Sequence, residues 1–349
     1  MATLGNRVTT TTRFKLMPFV VDTVLKSNVF FTRTVSRAKK WSGNQMKYPV
    51  KVSKNSTGTS FAGMDTFSTS ATNNRQLLAF DPAFYQISVA LPLDELSANA
   101  TDDQIIDLAA IEVKGAAQDM ADSVGGLFYL DGTGNGNKDP LGLAAIVDDG
   151  TSVATFGGLS RTTFPTIKAT KTASGGTLSL PKMATLYNAV TSGTIKPTVG
   201  VTDPATWALY EQLLQPQERI NKTPANMKND NKGLNSQSGF IGGTGFTGLD
   251  YKGFAILADE KCTVGNLYFL NENFIEWRAL PMAMTEAIKY KSVDIEGNDY
   301  SNVLGLGFSW SGWIKPSDAA AVVGHIYLGG ELCCDNPLRQ GVLTGVTGV

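Results

Sequence analysis

The stretch that most restricts the fold is one that cannot build a core of its own. Residues 33–75, RTVSRAKKWSGNQMKYPVKVSKNSTGTSFAGMDTFSTSATNNR, hold Arg33, Arg37, Lys39, Lys40, Lys47, Lys51, Lys54 and Arg75. Their only acid is Asp65, so eight cations face one anion, a local +7 in a chain of net charge -1. Met46, Tyr48, Val50 and Val52 alternate with Lys47, Pro49, Lys51 and Ser53, which is strand period. NSTG (55–58) marks a turn, and TSFAGM (59–64) reads as the return strand. A long hairpin with few large apolar residues is marginal alone. It needs a partner surface.

A surface of opposite charge follows in the same chain. FYQISVALPL (84–93) reads as a strand with Tyr85, Ile87, Val89 and Leu91 on one face. TDDQ (101–104) then fits a capping box, with Thr at the N-cap, Gln three residues on and acids in the first turn. Ile105, Leu108, Ala109, Val113, Ala116, Ala117, Met120 and Val124 recur at helical spacing, and Gly125–Gly126 is the expected end. At 1.5 Å per residue this is a rod on the order of 35 Å long. It carries Asp102, Asp103, Asp107, Glu112, Asp119 and Asp122 against Lys114 alone. The basic hairpin and acidic rod can satisfy each other within one chain or between copies. Nucleic-acid stacking would want aromatics interleaved with the cations. Trp41, Tyr48, Phe61 and Phe67 supply few, which favours docking onto protein.

The remaining segments predict a mixed α/β chain. MPFVVDTVLKSNVFF (17–31) reads as a short apolar helix, frayed or partly extended from Asn28 on. Residues 150–180 form a long irregular connection rich in Thr, Ser and Gly. Helices are expected over 179–193 and 202–214, separated by a strand at 197–201. Further strands are expected at 254–259, 266–271, 274–280 and 304–310. Residues 316–328 combine a small-residue helical turn with a strand. A length of 349 residues implies about two domains, and 42% hydrophobic content is enough for real cores. No segment approaches the ~20 apolar residues that cross a bilayer, and residues 1–15 lack a signal-peptide core. No membrane partner is expected. Cys262, Cys333 and Cys334 are odd in number and two are adjacent, so buried thiols are expected rather than a disulfide framework.

The loops that look chemical fail on inspection. LDGTGNGNKDPLGL (130–143) has Lys138 between Asn137 and Asp139, which breaks the P-loop pattern. Asp131, Asn135 and Gly136 match positions 1, 5 and 6 of a calcium loop, but position 12 is Gly142 and the bidentate carboxylate is missing. A structural turn remains, with Gly132, Gly134 and Gly136 free to take positive φ and Pro140 fixing the exit. GGTGFTG (242–248) contains GxGxxG, but LDYKGFAILAD follows, a turn and strand where a dinucleotide site needs a helix. His325 is the only histidine and sits among apolar neighbours, with no nucleophile turn elsewhere. No catalytic residue, metal site or cofactor is expected.

The order of these parts resembles one family, the major capsid proteins of tailed bacteriophages with the HK97-type fold. The long basic hairpin looks like the family's E-loop. TDDQIIDLAAIEVKGAAQDMADSVGGLFYLDG looks like its spine helix, and DGTGNGNKDPLGL is similar to the turn that follows that helix. LPKMATLYNAV and DPATWALYEQL look like axial-domain helices. GFTGLDYKGFAILAD, NLYFLNENFIEWRAL and GELCCDNPLRQGVLTGV are also typical. The resemblance runs from about residue 17 to the end, and it is carried by the succession of phrases rather than by any one.

The resemblance implies an α+β fold in six parts. These are an N-terminal arm (1–34), an E-loop hairpin (35–82) and a peripheral domain (83–175) with its spine helix at about 102–126. An axial α/β domain (176–280), a return to the peripheral domain (281–328) and a C-terminal segment (329–349) follow. It implies hexamers and pentamers that close an icosahedral head around double-stranded DNA, held without sequence preference on the inner face. The hairpin's Arg37, Lys39, Lys40, Lys47, Lys51 and Lys54 would meet the acidic Asp103, Asp107, Glu112 and Asp119 of a neighbour. The expected location is the virion, after assembly in the host bacterial cytoplasm, with a portal protein and optionally a decoration protein. Some members carry an N-terminal scaffolding segment of roughly a hundred residues. Here the arm begins almost at Met1, so a separate scaffolding protein is expected. Some members crosslink Lys to Asn between subunits; no acceptor is marked here, and none is expected. Two alternatives remain: an encapsulin-like nanocompartment shell, and a nucleotide- or metal-dependent enzyme built on the 130–143 or 242–248 loops.

Overall fold

The chain divides into two units, and the larger holds an aromatic-rich core. The structure is a computed structural model that describes residues 28–41, 43–99, 108–173, 175–214, 249–280, 286–287 and 308–349. Its first compact unit comprises, among the described residues, those of Phe84–Val124 and Ala279–Gly330. The second comprises Ser27–Ala83, Gly125–Arg278 and Glu331–Val349. This division groups residues 125–175 with 176–278, whereas the sequence expectation assigns 125–175 to the peripheral part. No helix among the described residues is long and apolar enough to cross a membrane.

In the second unit, α1 (Val29–Val35) comes first. Its Phe30, Phe31 and Val35 are buried, and Phe31 meets Phe128 edge-on at 5.3 Å. The expectation of a frayed Val–Phe–Phe end is overturned here, because those aromatics plug a core and hold the helix. A two-residue strand β1 (Lys39–Lys40) leads to the hairpin β2 (Met46–Lys51) and β3 (Arg75–Phe80). The return strand is therefore Arg75–Phe80; TSFAGM lies in the excursion between the strands.

The first unit holds β4 (Ala83–Pro92), a helix α2 (Leu93–Asn99) that the pattern did not predict, and most of α3 (Leu108–Leu127). Val89 and Leu91 are buried along β4. Val113, Ala117, Met120 and Val124 form the buried stripe of α3. The helix continues through Gly125 and Gly126 to Leu127 instead of ending at them. The capping box at 101–104 lies outside the described residues.

Residues 150–180 hold more structure than their composition announces. Short pairs form between β5 (Thr155–Phe156) and β6 (Leu159–Ser160), followed by β7 (Thr170–Thr172) and β8 (Gly176–Thr177). They wrap Arg161, which is fully buried. Its guanidinium donates to the carbonyls of Ala145, Ile146, Val153 and Ile167 and lies 3.5 Å from Asp148. Asp148 also takes Lys171 Nζ at 2.7 Å and the amides of Gly150 and Val153. A buried charge with this many partners is tolerated where an unpaired one is not.

Beyond it come α4 (Leu180–Val190), β9 (Val199–Thr202), α5 (Pro204–Leu214), β10 (Leu249–Tyr251), β11 (Phe254–Ala258), β12 (Leu267–Leu270) and β13 (Ile275–Ala279). The sheet order is β10-β11-β9-β12-β17-β7, with β17 at Gly341–Leu343. Strands β9 and β11 are parallel. Met183, Leu186 and Val190 of α4 and Tyr210 of α5 join Phe254, Ile256 and Phe269 in this core. The first unit is completed by β14 (Glu286–Ala287), β15 (Phe308–Trp310) and most of β16 (Ala321–Cys334), with β15 antiparallel to both. Residues 316–320 contain no helical turn, which corrects that expectation. The strand β18 (Val346–Gly348) pairs with β8.

Candidate functional site

The hairpin alternates as its sequence requires. Met46, Tyr48 and Val50 are half-buried, while Lys47, Pro49 and Lys51 are exposed. Across the ladder Lys51 faces Arg75, Pro49 faces Leu77 and Lys47 faces Ala79. The solvent face is thus cationic with an apolar centre, and two cations sit directly opposite each other, which is unfavourable without an anion nearby. The last rung is Val52 N donating to Asn74 O at 2.9 Å. Beyond it the chain makes an excursion whose tip is closed by Ala62 N donating to Asp65 Oδ2 at 2.9 Å, with Gly63 at φ 60°. Phe61 and Phe67 meet edge-on at 5.1 Å there. Both are exposed, and Met64 is fully so.

The six predicted cations divide into two groups. Arg37 lies 3.0 Å from Glu272, beside Arg33, which grips the same carboxylate with Nε at 3.0 Å and Nη2 at 2.9 Å. Lys39 lies 2.6 Å from Glu276 Oε2. Tyr48 donates to Glu276 Oε1 at 2.6 Å, and Arg278 donates to the same oxygen and to the Tyr48 hydroxyl. The charges of Arg37 and Lys39 are therefore met within the chain, by carboxylates the sequence reading did not single out. Lys40, Lys47, Lys51 and Lys54 are exposed and make no ion pair among the described residues. Burial alone would raise both glutamates. Arg33 and Arg37 at Glu272, and Lys39, Tyr48 and Arg278 at Glu276, outweigh it and hold each carboxyl below its ordinary value.

Of the acidic set, Glu112 and Asp119 are exposed on α3. Asp103 and Asp107 lie outside the described residues. Loop 130–143 is a tight turn. Asp131 Oδ1 accepts from Thr133 N at 3.1 Å and Thr133 Oγ1 at 2.7 Å. Gly132 and Gly136 take φ of 80° and 70°, joined by Asn135 at 49° and Asn137 at 63°. Gly134 does not use positive φ; a methyl group there would strike the Asp139 carboxylate. Pro140 is buried at the exit, and Leu141 N donates to Glu331 at 2.6 Å. Gly142 is hemmed in by main chain, where a methyl group would lie 2.6 Å from Leu127 O and 2.7 Å from Phe128 C. Among the described residues no group of three His, Cys, Asp or Glu could hold a metal.

No family model matches the sequence. No curated protein matches it either. The fold is shared with solved shells along essentially the whole chain: it is the mixed α/β fold of HK97-type capsid structures. The capsid asymmetric unit of cyanophage A-1(L) is similar at TM-score 0.73 and 13% identity, covering 99% of this chain and 100% of that one. The capsid of the native GTA particle is similar at TM-score 0.63 and 11% identity, covering 99% and 100%. The SrpI encapsulin of Synechococcus elongatus is similar at TM-score 0.59 and 9% identity, covering 99% and 96%.

Proposed function

We propose that this chain is a major capsid protein that assembles into hexamers and pentamers of an icosahedral phage head around double-stranded DNA. The observation that carries the reading is the likeness to capsid chains over both full lengths, cyanophage, GTA and a Myoviridae phage among them. On this reading the hairpin is the E-loop, α3 is the spine helix, and the sheet around β9 with α4 and α5 is the axial domain. The hairpin cations without an ion pair among the described residues, Lys40, Lys47, Lys51 and Lys54, dock on the acidic face of a neighbour's α3, where Glu112 and Asp119 are exposed. Complementary charge of this kind steers encounter and fixes register. Interfaces rather than a pocket supply the binding energy, each burying on the order of 1,200–2,000 Å² or more. A scaffolding protein, a portal protein and optionally a decoration protein are the further partners.

Electron microscopy of the expressed chain, alone and with its scaffolding protein, tests the reading. Closed shells tens of nanometres across are expected. A compact monomer by light scattering under both conditions overturns it. The triple variant K47E/K51E/K54E should keep its circular dichroism and lose its shells; well-formed shells from it remove electrostatic docking. A second reading, a nanocompartment shell, is favoured by the likeness to the SrpI encapsulin. Shells that enclose protein instead of DNA decide for it.

A further inference from the structure

The root of the hairpin is tied to the body of the second unit differently on its two strands. The return strand is held by backbone and apolar contact. Ala79 N donates to Gly157 O at 3.0 Å, Phe80 meets Phe156 edge-on at 5.3 Å, and Leu78 is fully buried. The outgoing side is held by the pairing of β1 with β13 and, further along, by charge. Glu276, on β13, takes Lys39 Nζ at 2.6 Å on one oxygen and the Tyr48 hydroxyl at 2.6 Å on the other. Arg278, two residues along the same strand, donates to Tyr48 Oη at 3.1 Å and braces the pair. One carboxylate thus fastens β2 to β13 and reinforces the pairing of β1 there.

We infer that Glu276 is a positioning residue, a latch that sets the direction in which the hairpin leaves the body. Removing its charge unfastens β2, while β1 stays paired with β13 and Gly157 and Phe156 keep the return side in place as a pivot. Lys39 is 61% exposed against 18% for Glu276, so the latch is reachable by competing ions from solvent. The neighbouring Glu272 holds α1 through Arg33 and Arg37, so release at Glu276 leaves that helix anchored. The inference goes beyond the shell reading and does not depend on it, because it is read on the unassembled subunit.

The test is a distance measurement on the full chain, with spin labels at Lys51→Cys and Thr194→Cys; the native cysteines are buried. With Glu276 intact a single distance is expected. Glu276→Gln and Tyr48→Phe should each add a second distance population, with circular dichroism melting still cooperative. Tyr48→Phe removes only the hydroxyl and decides the matter if Glu276→Gln does not fold. An unchanged single distance in the folded variant overturns the latch. Absence of shells in the native chain, with the second distance present in the variants, would refute the shell reading and leave the latch standing.

Discussion

Glu331 is the group through which neutral pH should act on this fold. It is 4% exposed, just past the glycine pair of β16. One oxygen accepts from Leu141 N at 2.6 Å and Leu332 N at 3.0 Å. Burial, with the charge of Asp81 adding to it, pushes the carboxyl up from 4.5 to about 8 against the two amides that oppose it. A carboxyl raised on folding keeps a proton that the unfolded chain releases. Its cost is absent below the unfolded value and grows as pH climbs towards the folded one. With these two values, the charged form costs about 1 kcal/mol at pH 5 and about 4 kcal/mol at pH 8. The second unit has about 230 residues. For that size each kcal/mol is worth roughly 2–4 °C, so the native chain should lose roughly 6–12 °C between pH 5 and 8 from this group. Glu331→Gln keeps an acceptor for both amides and removes the titration. Melting both chains, unassembled, at pH 5, 6, 7 and 8 isolates the effect, since every other group titrates in both. The native curve should fall relative to the variant as pH rises. Parallel curves refute the reasoning.

Gly142→Ala should cost about 3 kcal/mol, because the methyl group meets main-chain atoms that cannot turn aside. Gly136→Ala, at φ 70° in open space, should cost about 1 kcal/mol from backbone strain alone, and chemical denaturation of the two variants checks the order. Replacing Phe61, Met64 and Phe67 together by Ser removes roughly two side chains' worth of exposed apolar surface. It should leave subunit melting unchanged and weaken any docked tip by about 3–6 kcal/mol, read as a rise in the assembly concentration by light scattering.

Legibility in the sequence followed the range of the interaction. Periodicity found α4, α5 and the strands around β9, because the residues that bury each element lie within that element. It also found the alternation of β2, and it located the turn at 130–143. It misplaced the return strand, because neither TSFAGM nor RQLLAF alternates cleanly and only tertiary contact with Phe156 and Gly157 selects the second. It missed Arg161, whose partners are main-chain carbonyls that no side-chain pattern announces. It weighted Gly132, Gly134 and Gly136, of which only the first and last take positive φ, and passed over Gly142, whose need for space arises only when 142 returns beneath Leu127–Leu130.

The charges show the same limit more sharply. A local +7 beside an acidic helix reads as one surplus facing one deficit. The structure splits that surplus. Arg33, Arg37 and Lys39 belong to Glu272 and Glu276, more than two hundred residues away, and serve the fold. Lys40 and the cations further out, on the exposed face of β2 and beyond it, make no ion pair among the described residues. Glu276 and Arg278 alternate outward between Ile275, Trp277 and Ala279, so the strand pattern already exposed them as a charged pair on one face. What the pattern could not supply was which cations come to that face. Charge left unpaired after folding is therefore the better guide to a partner than charge counted in the sequence. By that measure Lys47, Lys51 and Lys54 should govern association, and Arg37 and Lys39 the subunit. Reversing the first three should abolish assembly without lowering the melting temperature, whereas Arg37→Glu and Lys39→Glu should lower the melting temperature first. Equal effects of both sets on melting would refute the division.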